Sequence, residues 1–118
     1  ASTVIDCNSS SNDGYGIGGY SGCLVSGNTC GENSAGIYIT QSDNRIEGNS
    51  CTVNGRGIDV NGSGNFIARN TCSGNTTNWV VAAGNVCKVV SATTCTAISG
   101  ADGGTYPGDN PPLATFTY

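Results

Sequence analysis

The chain contains no histidine and no methionine. Without an imidazole it can build no Ser-His-Asp triad, no Cys-His pair and no histidine-ligated zinc site. Charge is scarce as well: charged residues make up 10% of the 118, and the net charge is −4. Its four basic residues, Arg45, Arg56, Arg69 and Lys88, cannot neutralise a run of phosphates, so nucleic acid is excluded as a partner. So little charge of either sign also argues against a disordered chain. Proline is limited to three residues, which rules out collagen and Pro-rich linkers, and no apolar run approaches the ~18 residues that would span a membrane as a helix. Leucine occurs only at Leu24 and Leu113, too rarely for a leucine-rich repeat. Ala1-Ser2-Thr3-Val4 leads straight into strand-like sequence, as in a mature or excised domain.

Glycine, by contrast, contributes 19 residues, and asparagine, serine and threonine are abundant. These residues fall into a repeat of 21. Gly27-Asn28-Thr29-Cys30 returns as Gly48-Asn49-Ser50-Cys51 and as Arg69-Asn70-Thr71-Cys72. Val25, Ile46 and Ile67 keep the same spacing, as do Ile37, Ile58 and Trp79, and Ile39, Val60 and Val81. Within a repeat the local period is two: Ile37-Tyr38-Ile39-Thr40 and Ile58-Asp59-Val60-Asn61 alternate apolar and polar, as short β-strands do. Turn signals such as Asn54-Gly55 and Asn61-Gly62 separate them. Three such strands and three turns fill one repeat. The repeat is therefore one coil of a solenoid whose coils stack at ~4.8 Å with parallel pairing.

Gly-Asn-x-Cys followed by Gly-Ile-x-Val resembles the short repeats of right-handed parallel β-helix proteins, the pectate-lyase-like superfamily. The resemblance covers residues 21–87 best, is weaker over 4–20, and extends to the Asn110-Pro111-Pro112 ending. The expected architecture is an all-β, right-handed parallel β-helix of about four to five coils over residues 1–87, clearest over 23–84. A capping tail over 88–118 follows, holding Tyr106, Phe116 and Tyr118.

Stacked coils turn sequence columns into spatial ones. Asn28, Asn49 and Asn70 should form an asparagine ladder at a bend, where the residue tolerates left-handed geometry and its amide can satisfy the turn. Cys30, Cys51 and Cys72 should point inward as a second column, with Cys7 one coil earlier. In-register side chains run parallel with Cβ atoms ~4.8 Å apart, which favours free thiols over disulfides. Seven cysteines leave at least one unpaired, and the expected bridge is Cys87–Cys95. No metal site and no cofactor are expected, because the column is dry and carries no clustered charge. The sequons at Asn8, Asn61 and Asn75 follow from composition.

Enzymes of the resembled fold commonly bind saccharide on one outer sheet face, which here would carry Tyr38, Thr40, Asp59, Asn61, Val80 and Ala82. Glycoside hydrolysis needs two carboxylates, and a pectate-type lyase needs clustered acids for calcium with a base beside them. Asp59 with Arg56 meets neither requirement, so the two are expected to form a solvated surface pair. Together with Tyr38 they remain the candidate saccharide face. An ice-binding hydroxyl face on Thr29, Ser50 and Thr71 is too narrow, and Asp102 and Asp109 lack calcium-loop spacing. Nothing before Val4 suggests a cap for the first coil, whose open edge could pair with another copy. The reading is a secreted, non-catalytic structural or interaction module that self-associates through this coil, end to end into fibres. The alternatives are a fragment of a polysaccharide lyase, hydrolase or epimerase, or a saccharide-binding module.

Overall fold

A computed structural model describes residues 1–89; the expected tail cap, Cys95 and the Asp102/Asp109 loop lie outside these residues. The first coil consists of β1 (Thr3–Ile5), β2 (Asn8–Ser10) and β3 (Tyr15–Gly19). The second holds β4 (Leu24–Ser26), β5 (Thr29–Gly31) and β6 (Ala35–Ile39), and the third β7 (Arg45–Glu47), β8 (Ser50–Thr52) and β9 (Arg56–Val60). The fourth holds β10 (Phe66–Ala68), β11 (Thr71–Ser73) and β12 (Thr77–Val81), after which β13 (Val86–Cys87) adds one more strand. Every pairing is parallel, and the strands collect into three sheets: β1-β4-β7-β10-β13, β2-β5-β8-β11 and β3-β6-β9-β12. This is an all-β parallel solenoid of about four coils, with no helix among the described residues.

Strands of three to five residues hold no structure alone; stacking supplies what length does not. The inward columns show how. Val25, Ile46 and Ile67 stack on the first sheet, Ile17, Ile37, Ile58 and Trp79 on the third, and Ile39, Val60 and Val81 beside them. Ile37, Ile39, Ile46, Ile58 and Val60 are completely buried. Each such side chain contributes roughly 1.5–3 kcal/mol relative to exposure.

The bends follow one rule. A residue with positive φ stands immediately before each inward-turned corner residue: Asp6, Gly27, Gly48 and Arg69 at one corner, Ser11, Glu32, Val53 and Gly74 at the second, Gly22, Asp43, Gly64 and Gly84 at the third. The left-handed residue turns the chain, and the next residue tucks its side chain into the corner. Asparagine is that next residue at all but two of the twelve positions, Cys7 and Cys23. The expectation that asparagine itself takes the left-handed conformation is thereby corrected.

Candidate functional site

Three asparagine ladders run along the solenoid, where the Gly-Asn-x-Cys motif had pointed to one. In the first, Asn28 donates from Nδ2 to Asn49 Oδ1 at 3.0 Å, and Asn49 to Asn70 Oδ1 at 2.9 Å. The same oxygens accept the backbone N–H of the rung below, and Nδ2 of Asn28, Asn49 and Asn70 also donates to the carbonyls of Val4, Val25 and Ile46. The second ladder is Asn12, Asn33, Asn54 and Asn75, and the third Asn44, Asn65 and Asn85. Their signal was in the sequence as the 21-residue recurrence of Asn33, Asn54 and Asn75. Asn54, read as a turn signal, is a buried rung, and the sequon residue Asn75 has its amide bonded to Cys51 O and Asn78 Oδ1. Buried amides that are all satisfied rigidify a fold and leave no group free for chemistry.

The cysteine column is Cys30, Cys51 and Cys72, in direct register on β5, β8 and β11. Cys30 and Cys51 are fully buried, and Cys72 is half-buried. Cys7 does not belong to it. Ser9 pairs with Cys30, whereas Cys7 is exposed and heads the first ladder, giving its N–H to Asn28 Oδ1 and its thiol to Ile5 O. A match by residue type at a spacing of 23 had pointed to the wrong column; register decides it. Cys23 starts the third ladder in the same way, with its N–H on Asn44 Oδ1. Hydrogen bonding with Cys51, burial and the neighbouring charge all hold the Cys30 thiol protonated far above the ordinary range. Cys51 is drawn down by its hydrogen bond with Cys30 but pushed further up by Cys72 and by burial, to about 12. Cys87 is exposed and free, and its expected partner Cys95 is outside the described residues.

On the outer side of the third sheet, Tyr38, Asp59 and Val80 share a column. The Tyr15 and Tyr38 rings stack with centroids 4.2 Å apart. Arg56 Nη1 lies 2.5 Å from Asp59 Oδ2, so the expected pair exists, but it is not solvated. Asp59 is 0% exposed, while the Arg56 side chain is 43% exposed. Neither Asp59 oxygen has an aligned hydrogen-bond partner among the described residues, and neither has Thr40 Oγ1. Strand alternation carries no information on what covers a side chain, and here Asp59 is fully buried.

Three further charges, Arg45, Glu47 and Arg69, meet beside the first sheet, and sequence reasoning did not single them out as a cluster. Glu47 accepts from Arg45 Nε at 2.9 Å and from Arg69 Nη2 at 2.6 Å, and Arg45 also lies 4.6 Å above the Phe66 ring. The Arg45 hydrogen bond, followed by that of Arg69, holds the Glu47 carboxyl below its usual range despite opposing desolvation. Among the described residues no three His, Cys, Asp or Glu side chains converge as a metal site.

A family model described as "Periplasmic copper-binding protein (NosD)" matches residues 1–110. No curated protein and no solved structure matches the chain. Nearly the whole sequence, with a parallel β-solenoid built on 21-residue coils, thus places this chain in the NosD family of periplasmic β-helix proteins.

Proposed function

We propose that the chain is a non-catalytic structural or interaction module working outside the cytoplasm, in the periplasm or beyond it. The observation that carries this reading is Asp59. The acid on the candidate saccharide face is fully buried and tied to Arg56, so it can neither protonate a leaving group nor activate water. Copper, which the family's printed name carries, has no evident seat at this face, since among the described residues no group of three His, Cys, Asp or Glu side chains converges there. Turnover assays on uronate and neutral polysaccharides are the direct test. No product is expected; product that disappears in Asp59→Ala would overturn the reading. Affinity without product would favour saccharide binding, with the Tyr15–Tyr38 stack as its platform.

The proposed docking face is the first coil, where β1, β2 and β3 each offer an edge without a partner strand among the described residues and Ile5 is 46% exposed. Association there would join copies end to end, and contacts of that heterologous kind can run on as a fibre. Sedimentation velocity over a concentration series should show association that Ile5→Lys weakens. A monomer at all concentrations would remove the docking claim and leave the non-catalytic reading in place.

A further inference from the structure

Soft metals select thiolate, thioether and imidazole ligands, and thiols must lose their protons to bind. This chain has no thioether and no imidazole. Any copper it held with soft ligands would therefore sit on cysteine, and Cys30, Cys51 and Cys72 are the cysteines that the fold brings into one column.

The surroundings of that column are closed at Cys30 and Cys51, while Cys72 is half-buried. Cys30 and Cys51 have no exposed surface, and both belong to the apolar cluster that includes Ile37, Ile46 and Ile58. Backbone fills the space beside the sulfurs of Cys51 and Cys72. A Cβ built on Gly36 would lie 3.0 Å from Cys51 Sγ and 2.7 Å from Gly57 O; one built on Gly57 would lie 2.9 Å from Cys72 Sγ. There is no room for even a methyl group here, and a metal ion would need room plus a path inward. The cavity at the last coil, about 60 Å³ with Ile67, Trp79, Val81 and Cys87 in its wall, touches none of the three column sulfurs. Carboxylates do not help either, because Glu47 and Asp59 are already paired with arginine.

We infer that the cysteine column is a metal-free thiol ladder, a packing device of the second sheet, and that the copper in the family's name has no seat in the core of this chain. The thiols take the place that apolar columns take on the other two sheets. They are small enough to let the Gly36 and Gly57 backbones close over them.

Anaerobic Cu(I) titration of the full chain against a chromogenic chelator tests this, with the Cys7→Ser/Cys87→Ser/Cys95→Ser variant alongside. That variant keeps Cys23 and the column as its only thiols, and circular dichroism checks that it is folded. It should leave the chelator its full share of copper. Copper held by the wild type but lost in the variant places the metal on the other thiols and supports the inference. Stoichiometric copper retained by the folded variant would overturn it. Independently, alkylation of the native wild type should modify Cys30 and Cys51 about 100-fold more slowly than Cys7, since they react only through local opening. Equal rates would show an accessible column and defeat the inference without any metal present.

Discussion

Asn49 takes part in six hydrogen bonds: its side chain accepts from Asn28 N and Nδ2 and donates to Val25 O and Asn70 Oδ1, its N–H also donates to Asn70 Oδ1, and its carbonyl accepts from Thr71 N. Asn49→Ala removes the side chain and strands the Asn28 amide and Val25 O in a dry corner. Each stranded buried group costs about 1–3 kcal/mol, so the substitution should destabilise by at least about 3 kcal/mol. Asn70→Ala removes equivalent bonds from a half-buried rung that water can reach and should cost only about 1–2 kcal/mol. Urea unfolding of the two variants checks the order; equal losses would mean that water access does not set the cost of a broken rung. The cysteines make a second prediction. Their folded values lie above the ~8.5 of a free thiol, so their contribution to stability is complete below that pH and is lost as pH rises through the folded values. Unfolding free energy should therefore fall between about pH 8.5 and 11. The fall should be shallower in a Cys30→Ala/Cys51→Ala variant, and parallel curves would show that the column does not titrate with unfolding.

At the scale of a strand, the third sheet is decided by a column that the hydrophobic pattern leaves unexplained. Gly16, Gly36 and Gly57 lie where a Cβ would meet the next coil's carbonyl, at 2.7, 2.7 and 2.5 Å. The fourth member is Asn78. Its Oδ1 accepts from Asn75 Nδ2 at 2.9 Å, in the role that the next rung plays for Asn33 and Asn54, so the second ladder is closed where the glycine column ends. Gly57→Ala should push β12 off β9 and cost about 1–3 kcal/mol, as overpacking does. Hydrogen exchange should then show the amides of 71–81 losing protection before those of 35–60, whereas uniform loss would place the strain elsewhere. Asn78→Gly removes the closing side chain without any clash and should cost less. The sequence made the strands legible because the apolar columns hold 21 residues through three repeats. It made the first ladder legible because Gly-Asn recurs. The other two ladders were hidden because Glu32, Val53 and Asp43 occupy left-handed corners where glycine would have marked a bend. Asp59 was misjudged for a different reason: a period of two gives the side of a sheet, and burial depends on neighbours in other coils.

Across the whole molecule, each coil touches only the coils beside it, so stability should behave as a sum of coil terms and interface terms. The pairings give the register of that sum: Ala35 meets Arg56 and Ile39 meets Val60, 21 residues on, and the same step links Cys30 to Cys51 and Asn33 to Asn54. Deleting residues 35–55 removes 21 residues and joins Ser34 to Arg56. Cys30 then stacks on Cys72, Asn33 on Asn75 and Val25 on Ile67, so all three sheets and the first two ladders stay continuous. Such a chain should fold to the same β-type circular dichroism with a lower melting temperature. Removal of residues 35–44, about half a coil, puts the cysteine column opposite a different sheet, turns core residues outward and should abolish cooperative unfolding. If both deletions fold equally well, then stacked register is not what holds the molecule together. If neither folds, the coils are less independent than their contacts imply.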